Sequence, residues 1–182
     1  MKNKFLNSEI LLPFLDYFKI EEKKEKKIKL IIYILLSMVI CTGMLFYYKI
    51  FAQEEIKDFV LEYINSEIEI IALLLSFSIA YLTILITSDS KNIRELKEYN
   101  TNKIIDKKNI SLYQILLIQL TYTIYNEIVL LILLLIHKFI FPITKEFWNI
   151  IFFTINMILL INIIYVMFKN VKNIYLSFWR SN

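Results

Sequence analysis

The chain has 182 residues, 58% of them hydrophobic, with a mean hydropathy of +0.56 and a formal charge of +4. One cysteine, one histidine and one glycine leave no material for a disulfide framework, a paired-histidine zinc site or a glycine-rich phosphate loop. This composition excludes an ordinary soluble domain and predicts a non-enzymatic, all-α integral membrane protein without a cofactor.

Residues 1–27 read as a cytoplasmic amphipathic and basic segment. Asn7 or Ser8 offers an N-cap, Leu11, Phe14, Leu15 and Phe18 recur at helical spacing, and Pro13 is expected in the first turn. The basic cluster that follows includes Lys23, Lys24, Lys26 and Lys27. Such a helix lies in the membrane plane beside headgroups or docks a cytosolic partner, which makes Phe14 and these lysines candidate lipid or partner contacts.

A four-helix transmembrane domain is expected over 28–168, with spans at about 28–49, 68–88, 110–137 and 148–168, since each apolar run supplies the roughly 20 residues that a bilayer core demands. Cys41, inside the first span, reads as a small buried hydrophobe. Between the first two spans, Ile56, Phe59, Val60, Tyr63 and Ile64 form an apolar stripe. The opposite face carries Glu54, Glu55, Asp58 and Glu62, continued by Glu67 and Glu69, and reads as solvated. Span two presents small and polar residues at Ala72, Ser76, Ala80, Thr83 and Thr87.

The loop 89–109 is expected in the cytoplasm. Ser88 or Asp89 caps a short helix through Ile93, Leu96 and Tyr99, Asn100–Asn102 marks a break, and Asn109 or Ser111 caps span three. Arg94 and Lys97 are further candidate contacts for a partner or lipid. The segment 169–182 is a cytoplasmic tail with a helical stripe at Val171, Ile174, Tyr175 and Phe178, and Trp148 and Trp179 suit interfacial anchoring.

Basic residues set the expected orientation. They crowd the N-terminal segment, the 89–109 loop and the tail, against only Lys49, Lys57, Lys138 and Lys145 on the other side. The positive-inside rule then places both termini in the cytoplasm of a bacterial plasma (inner) membrane, with the anionic lipid bilayer rather than nucleic acid as the partner of the net charge.

Glu127, an acid inside span three, demands a polar environment because an ionisable group in hydrocarbon is costly. Counting inward from the span ends predicts an intramembrane polar layer of Glu127, Asn126, Asn156, Ser76, Ser78 and Ser37, with Asn156 as the partner of Glu127. His137 is read as interfacial. Two function classes follow. The first is a membrane-embedded partner or sensor, homo-oligomeric or bound to a cytosolic protein, in a bacterial antiphage or stress-response system by analogy of architecture alone. The alternative is an oligomeric pore, which would have to show a cleaner polar stripe than one intramembrane acid. A small transporter using Glu127 is the third, although spans with no internal proline, in a chain whose only glycine is Gly43, count against it. Small four-span multidrug transporters are shorter and glycine-rich and carry their glutamate in the first span; this chain departs on all three points.

Overall fold

The computed structural model describes residues 3–51 and 53–180, with side chains at 12–51 and 54–175. Expectations for Leu11, Phe178 and Trp179 as packing or anchoring groups fall outside the described side chains.

The elements in chain order are α1 (Asn3–Ile20), α2 (Lys23–Ile50), α3 (Gln53–Thr87), α4 (Lys91–Glu98), β1 (Asn100–Ile105), β2 (Lys108–Ser111), α5 (Leu112–Ile140), a 3-10 turn (Phe141–Ile143) and α6 (Glu146–Arg180). Four of these helices, α2, α3, α5 and α6, are long and apolar enough to cross a membrane, which suggests a membrane protein. They match the four expected spans in place but not in length.

Three local readings are corrected. α1 starts at Asn3, so Pro13 lies well inside the helix and Asn7 and Ser8 do not cap it. The amphipathic segment 54–64 and the second span are one continuous helix, α3. The loop contains a two-stranded antiparallel hairpin, with Ile105 opposite Lys108 and both turn residues, Asp106 and Lys107, at positive φ. That geometry is the two-residue turn that suits strand twist. The signal was hidden because Lys107 stands where glycine is usual, and side-chain-bearing residues rarely adopt that conformation.

The helix ends follow capping chemistry. Ser90, rather than Ser88 or Asp89, caps α4 by accepting from the Ile93 amide. Ser111 caps α5 in a reciprocal box: the Gln114 amide donates to Ser111 Oγ, and the Ser111 amide donates to Gln114 Oε1 at 2.8 Å.

The chain divides into two compact units. The first comprises residues 1–26, 77–125 and 165–182, the second 27–76 and 126–164. In the first, Tyr17 of α1 is buried and stacks on Tyr122 with ring centroids 3.7 Å apart. Phe14 meets Tyr122 and Tyr125 edge-on, and Val166 closes the cluster. Phe14 is therefore committed to an internal contact. Ile20, Ile110 and Ile115 form an adjoining core, with Ile105 of the hairpin packed against it.

Ion pairs tie the same unit together: Lys19 to Asp106 at 3.3 Å, Lys103 to Glu22 at 2.8 Å and Lys169 to Glu25 at 2.8 Å. Arg94 is engaged by Asp89 through two hydrogen bonds, Lys97 lies over the Tyr113 ring, and Lys26 donates to the Phe18 carbonyl. Lys23, Lys24 and Lys27 remain exposed.

Replacing Tyr17 or Tyr122 by alanine should each cost about 3–5 kcal/mol, as for other large buried aromatics. The double variant should fall short of additivity by about 0.5–1.5 kcal/mol, the increment of an aromatic pair. Denaturant titration in detergent measures both; strict additivity would show that the stack adds nothing to separate burial.

The Lys103 ammonium bonded to Glu22 holds that carboxyl below the usual carboxylate range. Because the folded value is lowered, the pair stabilises fully above the ordinary range and is lost as pH falls through the lowered value. Glu22→Gln should therefore lower thermal stability slightly at neutral pH, leave it unchanged below the lowered value and so flatten part of the acid limb; the effect is small because the pair is solvent-exposed.

Candidate functional site

The second unit holds the buried polar groups that demand explanation. Its core is built from Ile56, Val60, Ile64 and Ile71 of α3, Leu130 and Leu134 of α5, and Ile150, Phe153 and Ile163 of α6, whereas α2 buries only Met44. Two bonds fix how α2 lies along α6. Tyr33 donates to Asn162 at 2.8 Å, and Cys41 meets Thr154 at 3.3 Å. Eight residues forward on α2 thus match eight residues back on α6, an antiparallel register.

Within this frame the expected polar layer comes apart. Glu127 and Asn156 are both fully buried, Asn126 and Ser78 are buried, Ser37 is half-buried and Ser76 is exposed. Ser37 and Ser76 each donate to a carbonyl of their own helix, at Ile34 and Ala72. The amide of Asn156 lies 3.2 Å from Nδ1 of His137, so its partner is the histidine and not Glu127. His137 is fully buried, stacked near Phe152 with Phe141 at its edge, and is no interfacial residue. Glu127 lies ten residues before it, about 15 Å along α5. By the α2–α6 register, Asn156 is level with the middle of α2 near Val39, and Glu127 falls toward the Lys29 end. Counting from the ends of apolar runs missed this because the helix ends are staggered.

The feature that sequence reading split in two is one face of α3. At 100° per residue, Glu55, Asp58, Glu62, Asn65, Glu69, Ala72 and Ser76 fall within a sector of about 100°. All seven are exposed and belong to the second unit. The opposite face buries Ile56, Val60, Ile64, Glu67 and Ile71. Read as an external helix followed by a separate span, the acidic and small-residue stripes looked unrelated; α3 makes them continuous.

Neighbouring contacts set the depth of this face. Tyr47 of α2 lies 5.0 Å from Phe59, while Tyr63 packs 4.6 Å from Phe153 and donates to Met157 Sδ at 2.8 Å. Carried through the α2–α6 register, Tyr63 and its neighbour Glu62 are level with α2 residues between Met38 and Met44. Glu69, about 10 Å further along α3, is level with Ile34 to Ser37. Asp58 is level with Leu45 to Tyr48. The acidic half of the stripe therefore runs beside the charge-free Leu30–Tyr48 stretch of α2. Glu67, one turn from Tyr63 on the buried side, was taken for part of the solvated face; it is buried beside the Tyr63 hydroxyl, with neither carboxylate oxygen in a hydrogen bond of good geometry.

Among the described residues, no three of His, Cys, Asp and Glu cluster closely enough to hold a metal ion. What the α3 face offers is a row of carboxylates and hydroxyls; Ser76, Thr83 and Thr87 return their protons to carbonyls of their own helix. Comparison with known protein families, with curated proteins and with solved structures finds no match for this chain.

Asn156→Leu should strand the buried imidazole nitrogen and lower stability by about 1–3 kcal/mol, the cost of a buried polar group left unmade. His137→Phe combined with Asn156→Leu should recover most of that loss, because both partners become apolar together. Unfolding in detergent tests this, and a double variant no better than the single one would contradict the pairing.

Proposed function

We propose that this protein is a pore-forming membrane protein of the bacterial plasma membrane, in which several copies assemble with their α3 faces around a water-filled, cation-attracting path. The observation that carries the reading is the depth of the acidic face. The stretch Leu30–Tyr48 of α2 is bounded by Lys29 and Lys49. Its 19 residues are about 28 Å long, which matches a hydrocarbon core of about 30 Å. Asp58, Glu62 and Glu69 lie at depths within that stretch and are exposed on α3. Facing lipid, a carboxylate near the bilayer centre costs about 2.5–3.5 kcal/mol on insertion scales. Glu62 and Glu69 near that depth, with Asp58 in the same row toward the Tyr48 end, favour a face turned toward water.

Assembly supplies that water without exposing the rest of the chain. The outward side chains of α2, including Leu35, Val39 and Phe46, suit lipid. A ring of repeated carboxylates attracts cations, and beyond it the small Ala72 and Ser76 keep the path open and polar. On this reading the buried Glu127 and the His137–Asn156 pair hold helices in register.

The partner or sensor role has an observation of its own. Leu12, Leu15 and Phe18 are exposed on α1 while Tyr17 and Ile20 anchor the same helix inward. A cytosolic protein seated on that face would account for them, with both termini cytoplasmic as the basic residues favour.

Purified protein reconstituted into planar bilayers should conduct with a cation preference. Glu62→Gln with Glu69→Gln should move the reversal potential in a salt gradient toward zero. Conductance absent from protein that is folded and inserted, or a reversal potential indifferent to both substitutions, would contradict the proposal. Binding of a cytosolic protein that Phe18→Asp abolishes, without any conductance, would favour the second reading.

A further inference from the structure

The second unit contains a cavity of about 590 Å³ where the ends of α2, α5 and α6 meet the start of α3. Its apolar wall includes Ile56 and Phe141, both buried. Its polar lining is Tyr48, Lys57, Thr144, Lys145, Glu146 and Asn149. The Tyr48 hydroxyl is buried beside Asn149 yet makes no hydrogen bond of good geometry. Asn149 itself is spent on Thr144, to which it is bonded through both ends of its amide. Among the described residues, neither lysine forms an ion pair within the protein.

Position narrows the ligand class. Tyr48 and Lys49 end the charge-free stretch of α2, so the cavity lies at the level where hydrocarbon gives way to headgroups. A buried hydroxyl donor and two ammonium groups call for a phosphate. Glu146 beside them calls for a cation with N–H donors held a short distance from that phosphate. Buried Ile56 and Phe141 call for apolar chain.

We propose that this cavity binds a phospholipid with an ethanolamine headgroup. Its phosphate lies between Lys57 and Lys145 and accepts from the Tyr48 hydroxyl, its primary ammonium pairs with Glu146, and its acyl chains pass along Ile56 and Phe141. The site depends on the membrane placement of α2 and not on the pore, so it stands or falls separately from the conduction reading.

The full-length protein in detergent, titrated with phosphatidylethanolamine and read by native mass spectrometry, tests the assignment. Phosphatidylcholine and phosphatidylglycerol of the same chains, and free phosphoethanolamine, serve as arms. Ethanolamine lipid should be retained over the other two. Lys57→Gln and Lys145→Gln should each weaken retention about fivefold, as expected for one lysine at a lipid surface, and Tyr48→Phe should weaken it too. Glu146→Gln should erase the preference over phosphatidylcholine while leaving phosphatidylcholine retention unchanged. Lys172→Gln removes the same charge elsewhere and should change nothing. Equal loss in that control, equal retention of all three lipids, or free phosphoethanolamine displacing the lipid at matched concentration would each overturn the proposal.

Discussion

The register of α2 against α6 is the constraint on which the rest of this account depends. Two side-chain bonds, Tyr33 to Asn162 and Cys41 to Thr154, advance by the same number of residues in opposite directions. Because α2 carries an uninterrupted apolar stretch bounded by lysines, it acts as a ruler for hydrocarbon thickness. Every other depth in the second unit is read against it: His137 with Asn156 near the middle, Glu127 toward one end, the tyrosine-lined cavity at the other. Without that register the acidic half of α3 would pass for an extramembrane helix. With it, the carboxylates of α3 share a level with the apolar stretch of α2, and the proposed function follows from what would cover them in a bilayer.

That conflict relates the two faces of α3 to each other. Its buried face is aliphatic apart from Glu67, and Tyr63, in contact with Phe153 and Met157, fixes its rotation against α6. Once the rotation is fixed, Glu55, Asp58, Glu62 and Glu69 have nowhere to turn but outward. Packing in the core thus enforces an exposed acidic row, and under the proposed function the cost of that row in lipid is what favours assembly. In the first unit, the N-terminal helix is held by the Tyr17–Tyr122 stack and by ion pairs to the hairpin, so the basic segment begins from a fixed anchor.

Much of the architecture was legible in the residues. Long apolar runs between charge clusters identified the four membrane-length helices, and Ser111 was one of two legible candidates, with Asn109, for the cap of α5. What failed did so for physical reasons. The hairpin turns on Asp106–Lys107, a pair with no glycine to announce positive φ. Pro13 was placed in a first turn because the polar residues before it looked like a cap, whereas the helix begins upstream. α3 was cut where its composition changes from charged to apolar, although no breaker stands at that point. The polar layer was assembled by counting from the ends of runs, which assumes flush helices; the observed stagger gives Asn156 to His137. Side chains such as Glu67, His137 and Phe14 changed role because burial depends on which way a helix is turned, and a single sequence records only the periodicity.

The most direct test of the central claim is the environment of the α3 face inside a bilayer. Spin labels placed one at a time from position 55 to 76, in a chain with Cys41 replaced by alanine and reconstituted into liposomes, report collisions with polar nickel chelate and with oxygen. The account requires a helical oscillation in which positions 58, 62, 65 and 69 favour the chelate at depths where labels at 35 and 39 on α2 favour oxygen. If 62 and 69 favour oxygen as strongly as 35 and 39 do, the acidic face looks into lipid and the account is wrong.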